Sequence, residues 1–255
     1  YTNFQVYAIK TDNNSKDVYF KLTASAPVAG ATELIPTLTS SIFQNVYDND
    51  IWNLSVRIEP KLDVNHTQVS GATITQYNVI FSGENITLGA IENKFEISSS
   101  VNAPAAGTSG SMSDFLIRPK RLYVGAQRTN MTGSLVHKSD VLVGSLKYWA
   151  KSLKNGSLNQ HAQDADNYGI SGSYKNISPL DSNNAGEILN LNTLALNWAF
   201  NQVTGSNATG NFFVKDISSG SVDLKSEYGI MGQIAGYQHP GYAYGFQASS
   251  SDVVA

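Results

Sequence analysis

The chain has 255 residues, a formal net charge of −3, no cysteine and 15% charged residues, where about 25% is usual. Asn, Ser, Thr and Gly hold 91 positions, yet the 41% hydrophobic and 10% aromatic content is ample for a core and excludes intrinsic disorder. No apolar run approaches the roughly 18 residues of a membrane-spanning helix, and the near-neutral charge, with no Lys/Arg cluster to set against it, supplies no field for nucleic acid.

The absence of cysteine removes disulfide frameworks, Cys-ligated zinc and thiol nucleophiles together. It does not fix the compartment, because a domain of this size can hold its core without disulfides. The chain opens Tyr1-Thr2-Asn3-Phe4 and closes Ser251-Asp252-Val253-Val254-Ala255, ends that read as those of a segment of a longer polypeptide.

Period-two patterns dominate from the start. Phe4, Val6 and Ala8 alternate with polar neighbours, as do Val18, Phe20 and Leu22. In 51–58, Trp52, Leu54, Val56 and Ile58 share one face, with Asn53, Ser55 and Arg57 on the other. Ile74, Tyr77, Val79 and Phe81 mark a strand over 73–81, and Leu122, Val124 and Val141-Leu142-Val143 mark two more. Alternation of this kind identifies strands with one buried face. Between them, Ser82-Gly83-Glu84-Asn85 and Asn155-Gly156 carry turn chemistry. The segment 98–113 reads as a long Ala/Gly/Ser/Pro loop.

A single short helix is expected over Leu158 to Ala165, capped by Ser157, with Leu158, His161 and Ala162 on one face. The Ser/Asn/Gly-rich stretch 170–186 reads as a linker. A strong strand pattern restarts at Leu191 to Phe200, another strand is expected over Asn211 to Ile217, and a Gly/Tyr-rich tail closes the chain. Many short strands without alternating helices predict an all-β fold, an antiparallel sandwich or jelly roll. The organisation expected is a first sandwich over residues 1–180 and a smaller β module over 187–255.

The stretch from Arg121 to Gly169 is the most specific. Leu122-Tyr123-Val124-Gly125-Ala126 reads as a strand ending in small residues, and Asp140 to Trp149 follows with Gly144, Leu146 and Tyr148 in alternation. Leu153 and the helical turn from Ser157 come next. With Trp52-Asn53-Leu54-Ser55-Val56, this pattern resembles laminin-G-like, concanavalin A-like jelly-roll domains over roughly residues 40–169. Ser157-Leu158-Asn159 departs from that family, which often carries an acidic residue before its helix. The resemblance implies that Gly144 lets a strand bend between sheets, with Leu146 and Tyr148 or Trp149 filling the sandwich. The longer string from Tyr123 through Ser134 to Asn167-Tyr168-Gly169, with Thr193 to Trp198 and Ser249 to Val254, resembles laminin-G-like domains in large structural proteins of marine phages and large algal viruses. That likeness implies one module among several, at a virion surface or otherwise extracellular.

Chemistry-bearing residues are sparse. A glycosidase needs two carboxyl groups converging on one bond, but the nearest acidic pairs, Asp48/Asp50 and Asp164/Asp166, fall in expected loops. No Gly-x-Ser-x-Gly elbow occurs, and His66, His137, His161 and His239 stand apart. No catalytic residue is assigned. The two Asp pairs offer oxygen atoms of the type that Ca²⁺ takes, although turn formation by Asp and Asn is the stronger reading. No cofactor beyond that cation is expected. Tyr237, His239, Tyr242, Tyr244 and Phe246 form an aromatic, glycine-spaced run, suited to stacking on a glycan or to packing in a subunit interface. Eight Asn-x-Ser/Thr sequons occur, at Asn13, Asn53, Asn65, Asn85, Asn130, Asn155, Asn176 and Asn207.

The expected function is a non-enzymatic virion structural or adhesion module that acts by assembly with copies of itself or other virion proteins, and by surface display. The competing readings are a glycan-binding, lectin-like domain and, behind it, a glycosidase. Neither nucleic-acid binding nor membrane insertion is expected.

Overall fold

The structure, a computed structural model, describes residues 3–25, 35–48, 50–61, 76–102, 122–128, 134–138, 142–165, 193–206 and 212–216. Those residues are mostly β-strands in antiparallel sheets, with one short helix, as the alternation predicts. The chain divides into two compact units, Tyr1–Ser139 and Asp140–Ala255.

In the first unit, β1 (Asn3–Lys10), β2 (Val18–Ser25) and β3 (Leu38–Phe43) pair in sequence order. So do β4 (Ile51–Pro60), β5 (Gln76–Thr87) and β6 (Ala90–Asn102). The register explains why: Val6 stands opposite Leu22 and Ala8 opposite Phe20, while Val56 opposes Phe81 and Ile58 opposes Val79. Each sheet thereby collects its apolar residues on one face. The two faces meet in one core of Val18, Phe20, Leu22, Ile35, Leu38, Tyr77, Val79, Phe81 and Val101, with Trp52, Phe43 and Phe95 packed against it. The Phe20 ring lies 4.7 Å from Trp52 and 5.6 Å from Phe95, and Phe43 lies 4.8 Å from Trp52. These centroid spacings fall in the favourable range for aromatic pairs. β3 runs close beside β6.

A short hairpin, β7 (Ala126–Arg128) with β8 (Leu135–Lys138), completes the described part of this unit. The Tyr7 hydroxyl donates to the Gln127 side-chain carbonyl. Tyr7 thereby ties β7 to the β1–β2–β3 sheet.

In the second unit β10 (Leu194–Ser206) pairs with both β9 (Ser145–Trp149) and β11 (Phe212–Asp216). The helix α1 (Asn155–Gln163) sets His161 against Trp149, ring centroids 5.5 Å apart. Leu153, Leu194 and Ala195 are buried there with Ser157, His161 and Asn197.

Several expectations are corrected. Ser82 to Asn85 is not a turn but mid-strand in β5, because Gly83 lies under Phe95, where a Cβ would come within 2.4 Å of that ring. The glycine marks a close approach, not a reversal. The reversal comes at Leu88-Gly89, where both residues have positive φ, 52° and 80°, as a two-residue type I′ hairpin turn requires. Ser98 to Asn102 continues β6 instead of opening a loop. Val141 to Val143 is not a strand among its described positions, and Leu142 is fully exposed. The Leu122 to Gly125 stretch is irregular; Gly125 takes φ 71° and β7 begins after it. Asn155-Gly156 lies inside α1, which Lys154 precedes without a side-chain cap, so Ser157 is a buried helical residue and not the cap.

Candidate functional site

The outward face of the β4–β5–β6 sheet carries the densest charge in the described residues. Arg57 alternates with the core-facing Val56 and Ile58, yet it is only 8% exposed. Its guanidinium donates to Glu96 at 2.7 Å and lies 3.6 Å from Glu59. In the next row, Asn53 opposes Glu84 and Glu84 opposes Lys94. Burial pushes the Glu84 carboxyl above the usual carboxylate range and Glu96 adds to the rise, against the opposing pull of Lys94 and Arg57. The Arg57 guanidinium is thus held by carboxylates on β4 and β6, which is how a sheet tolerates half-buried charge.

At the end of the same sheet the chemistry changes. Ile51 pairs with Ile86, and Ile86 pairs with Ile91, so three isoleucines cross three strands in one row. Ile51 is 68% exposed, and Leu88 at the hairpin tip is fully so. Acidic groups border this row. Asp50 immediately precedes Ile51, and its carboxyl is held above its usual range by partial burial, then by the charges of Glu92 and Asp48. Asp48 is paired to Lys16 at 2.8 Å, and Glu92 accepts from the Thr87 hydroxyl at 2.7 Å.

The structure therefore gathers Asp48 and Asp50 with Glu92, a neighbour that sequence reading did not single out. Its partner was concealed because the reversal at Leu88-Gly89 was placed at Ser82 to Asn85. The Leu-Gly step between two alternating apolar runs was the available signal. Among the described residues, no group of three or more His, Cys, Asp or Glu is placed to hold a metal ion. Asp164 is exposed at the C-terminal end of α1; Asp166 lies outside the described residues.

The sequons diverge in setting. Asn13 is exposed in the turn after β1, and Asn155 is exposed at the start of α1. Asn53 is half-buried on β4. Asn85 is 1% exposed, its Nδ2 donating to the Ile51 carbonyl and its Oδ1 accepting from Asn93, so this amide is a structural tie in the folded chain. Asn65, Asn130, Asn176 and Asn207 lie outside the described residues, as do His66, His239 and the run Tyr237, Tyr242, Tyr244 and Phe246. His137 is placed in β8, and His161 is buried against Trp149.

Among the described residues, no helix is long and apolar enough to cross a membrane. No family model, curated protein or solved structure matches the chain.

Proposed function

We propose that the chain is a non-enzymatic structural or adhesion module, built on a sandwich of the jelly-roll kind that its sequence resemblance implies, and acting at a virion surface by assembly and display. The observation that carries this reading is where the first unit leaves its apolar side chains. Val6 on β1, Ile42 on β3, and Ile51 and Leu54 on β4 are exposed, and all three strands are outermost in their sheets. Polar groups deeper in that unit are instead engaged in holding it together: Arg57 with Glu96, Asn85 with Ile51, Ser55 with Ser82 at 2.7 Å. Apolar edges on a scaffold whose polar groups are committed internally provide contact area more than reaction chemistry. The largely uncharged polar composition suits a displayed surface.

The test is light scattering on the intact chain across a concentration series, with a glycan array run with and without EDTA. Concentration-dependent self-association and no glycan retention are expected. A stable monomer retained on sugars would overturn the assembly reading in favour of a lectin, and EDTA sensitivity would assign Ca²⁺ to it.

A further inference from the structure

The start of α1 lacks the devices that hold a helix end. Lys154 stands immediately before it and makes no side-chain cap, no acidic residue falls in the first turn, and Asn155-Gly156 supplies the first two helical residues. A Ser, Thr, Asp or Asn before the helix would accept from its orphan amides. A lysine there sets its charge against the positive end of the helix dipole, and glycine gives up more backbone freedom in a helix than any other residue. Two anchors stand close by, Leu153 at 4% and Ser157 at 7% exposure. Between them Lys154, Asn155 and Gly156 are all exposed, and a Cβ at Gly156 would meet nothing within 4 Å.

Asn followed by Gly is also a pair that can react with itself. The backbone nitrogen of Gly156, once it loses its proton, attacks Cγ of Asn155. The new C–N bond closes a succinimide ring, and the side-chain nitrogen leaves as ammonia. Water then opens the ring at one of its two C–N bonds, giving aspartate, or isoaspartate, in which the main chain runs through the former side chain. Glycine has no Cβ to crowd the attack, and the first amides of a helix have no carbonyl one turn earlier to hold them. Helical ψ at Asn155 keeps the two atoms apart, so the step runs from a frayed first turn, which a helix without a cap supplies.

We infer that Asn155-Gly156 is a self-modifying site, where the chain ages by deamidation with water as the co-reactant. The two products act in opposite directions on the second unit. Aspartate puts a carboxylate in the first turn, where the helix N-terminus favours it. Isoaspartate adds a backbone methylene between the buried Leu153 and Ser157, so both anchors cannot keep their places in a close-packed interior. Neither product depends on how the chain assembles.

The experiment incubates the intact folded chain in mildly alkaline buffer and maps its peptides by mass spectrometry, with enzymatic methylation of isoaspartate as a second readout. Conversion is expected at Asn155 ahead of Asn14, which is exposed in the turn after β1 and followed by Ser15. Gly156→Ala is expected to slow it at least about tenfold. Lys154→Ser leaves the reacting pair untouched and restores a cap, so slowing of about fivefold is expected. Circular dichroism checks that both variants are folded. Conversion in the urea-unfolded chain but not in the folded one, or at Asn14 first, would overturn the proposal. A folded Lys154→Ser chain that converts as fast as wild type would overturn the part assigned to the missing cap.

Discussion

In the first unit two sheets enclose Phe20, Phe43, Trp52, Phe81 and Phe95 ring against ring, whereas the described interior of the second sets Leu153 and Leu194 beside Ser157, His161 and Asn197. An apolar interior is held by area and shape, so it answers chiefly to volume. A mixed interior is held also by hydrogen-bond geometry, and loses stability when a polar partner goes. The contrast teaches that one composition, rich in small polar residues, supports two ways of closing a sheet.

The largest test of that difference is Phe81→Ala. Phe81 is fully buried, 5.0 Å ring to ring from Phe95, and its truncation is expected to cost about 3 to 5 kcal/mol. Urea unfolding followed at Trp52 measures it, and a cost below about 1 kcal/mol would mean that the aromatic cluster is not the core of the unit.

Gly83→Val attacks the same core from the opposite direction. Its side chain would enter space held by Phe95 and by Leu54, 2.4 and 2.8 Å from the Cβ position, for an expected loss of about 1 to 3 kcal/mol. Adding Phe95→Ala should recover part of that loss. A double variant showing the plain sum of both costs would break the close-packing account.

His161→Ala probes the mixed interior. His161 is 6% exposed and packed against Trp149 with the rings tilted, and an expected loss of about 1 to 2 kcal/mol should appear as faster amide exchange in β9 and β10. Equal acceleration in β4 to β6 would show that the two units do not respond separately.

Leu88→Asn is expected to stabilise the isolated first-unit hairpin by about 1 kcal/mol, because Asn accepts positive φ better than a branched side chain. Thermal melting at low protein concentration reads this gain.

The smallest effect concerns pH. Burial raises the Glu84 carboxyl, so the folded chain holds that proton more tightly than the unfolded chain. Ionisation therefore costs stability as pH climbs from the ordinary glutamate range through the raised folded value, and the full cost is present above it. Glu84→Gln should stabilise at neutral pH by less than about 1 kcal/mol at this partly exposed position, with the gain fading at pH below the ordinary glutamate range. A wild-type-to-variant gap in urea midpoint that is constant from pH 3 to 7 would rule this out.

Alternation made much of the first unit legible. Val18, Phe20 and Leu22 are buried and Trp52, Val56 and Ile58 pack against them, as their spacing assigns, because a strand's period of two is a local property that any half-buried sheet must satisfy; at the edge strand β1 only Phe4 reaches that core, and Val6 and Ala8 are exposed. The helix was legible as an element but not in its limits: Ser157 looks like a cap, and its burial against the second unit's interior overrides that preference. Gly83 misled for the same kind of reason. Glycine serves a turn or a close approach equally well, and only Phe95 on the neighbouring strand distinguishes them.

The candidate surface shows the limit most clearly. Asp48 and Asp50 stood out by proximity in sequence, but Glu92 and the row from Ile51 to Ile91 are joined only by strand register. By itself the sequence determined that this chain forms antiparallel β-structure with an apolar interior and an uncharged polar exterior, since period and composition are additive over local positions. Tertiary structure alone decided which strands pair, that β9 belongs with β10, and that Glu92 comes beside Asp50. Those outcomes depend on long-range register, where a single misplaced turn moves every partner beyond it.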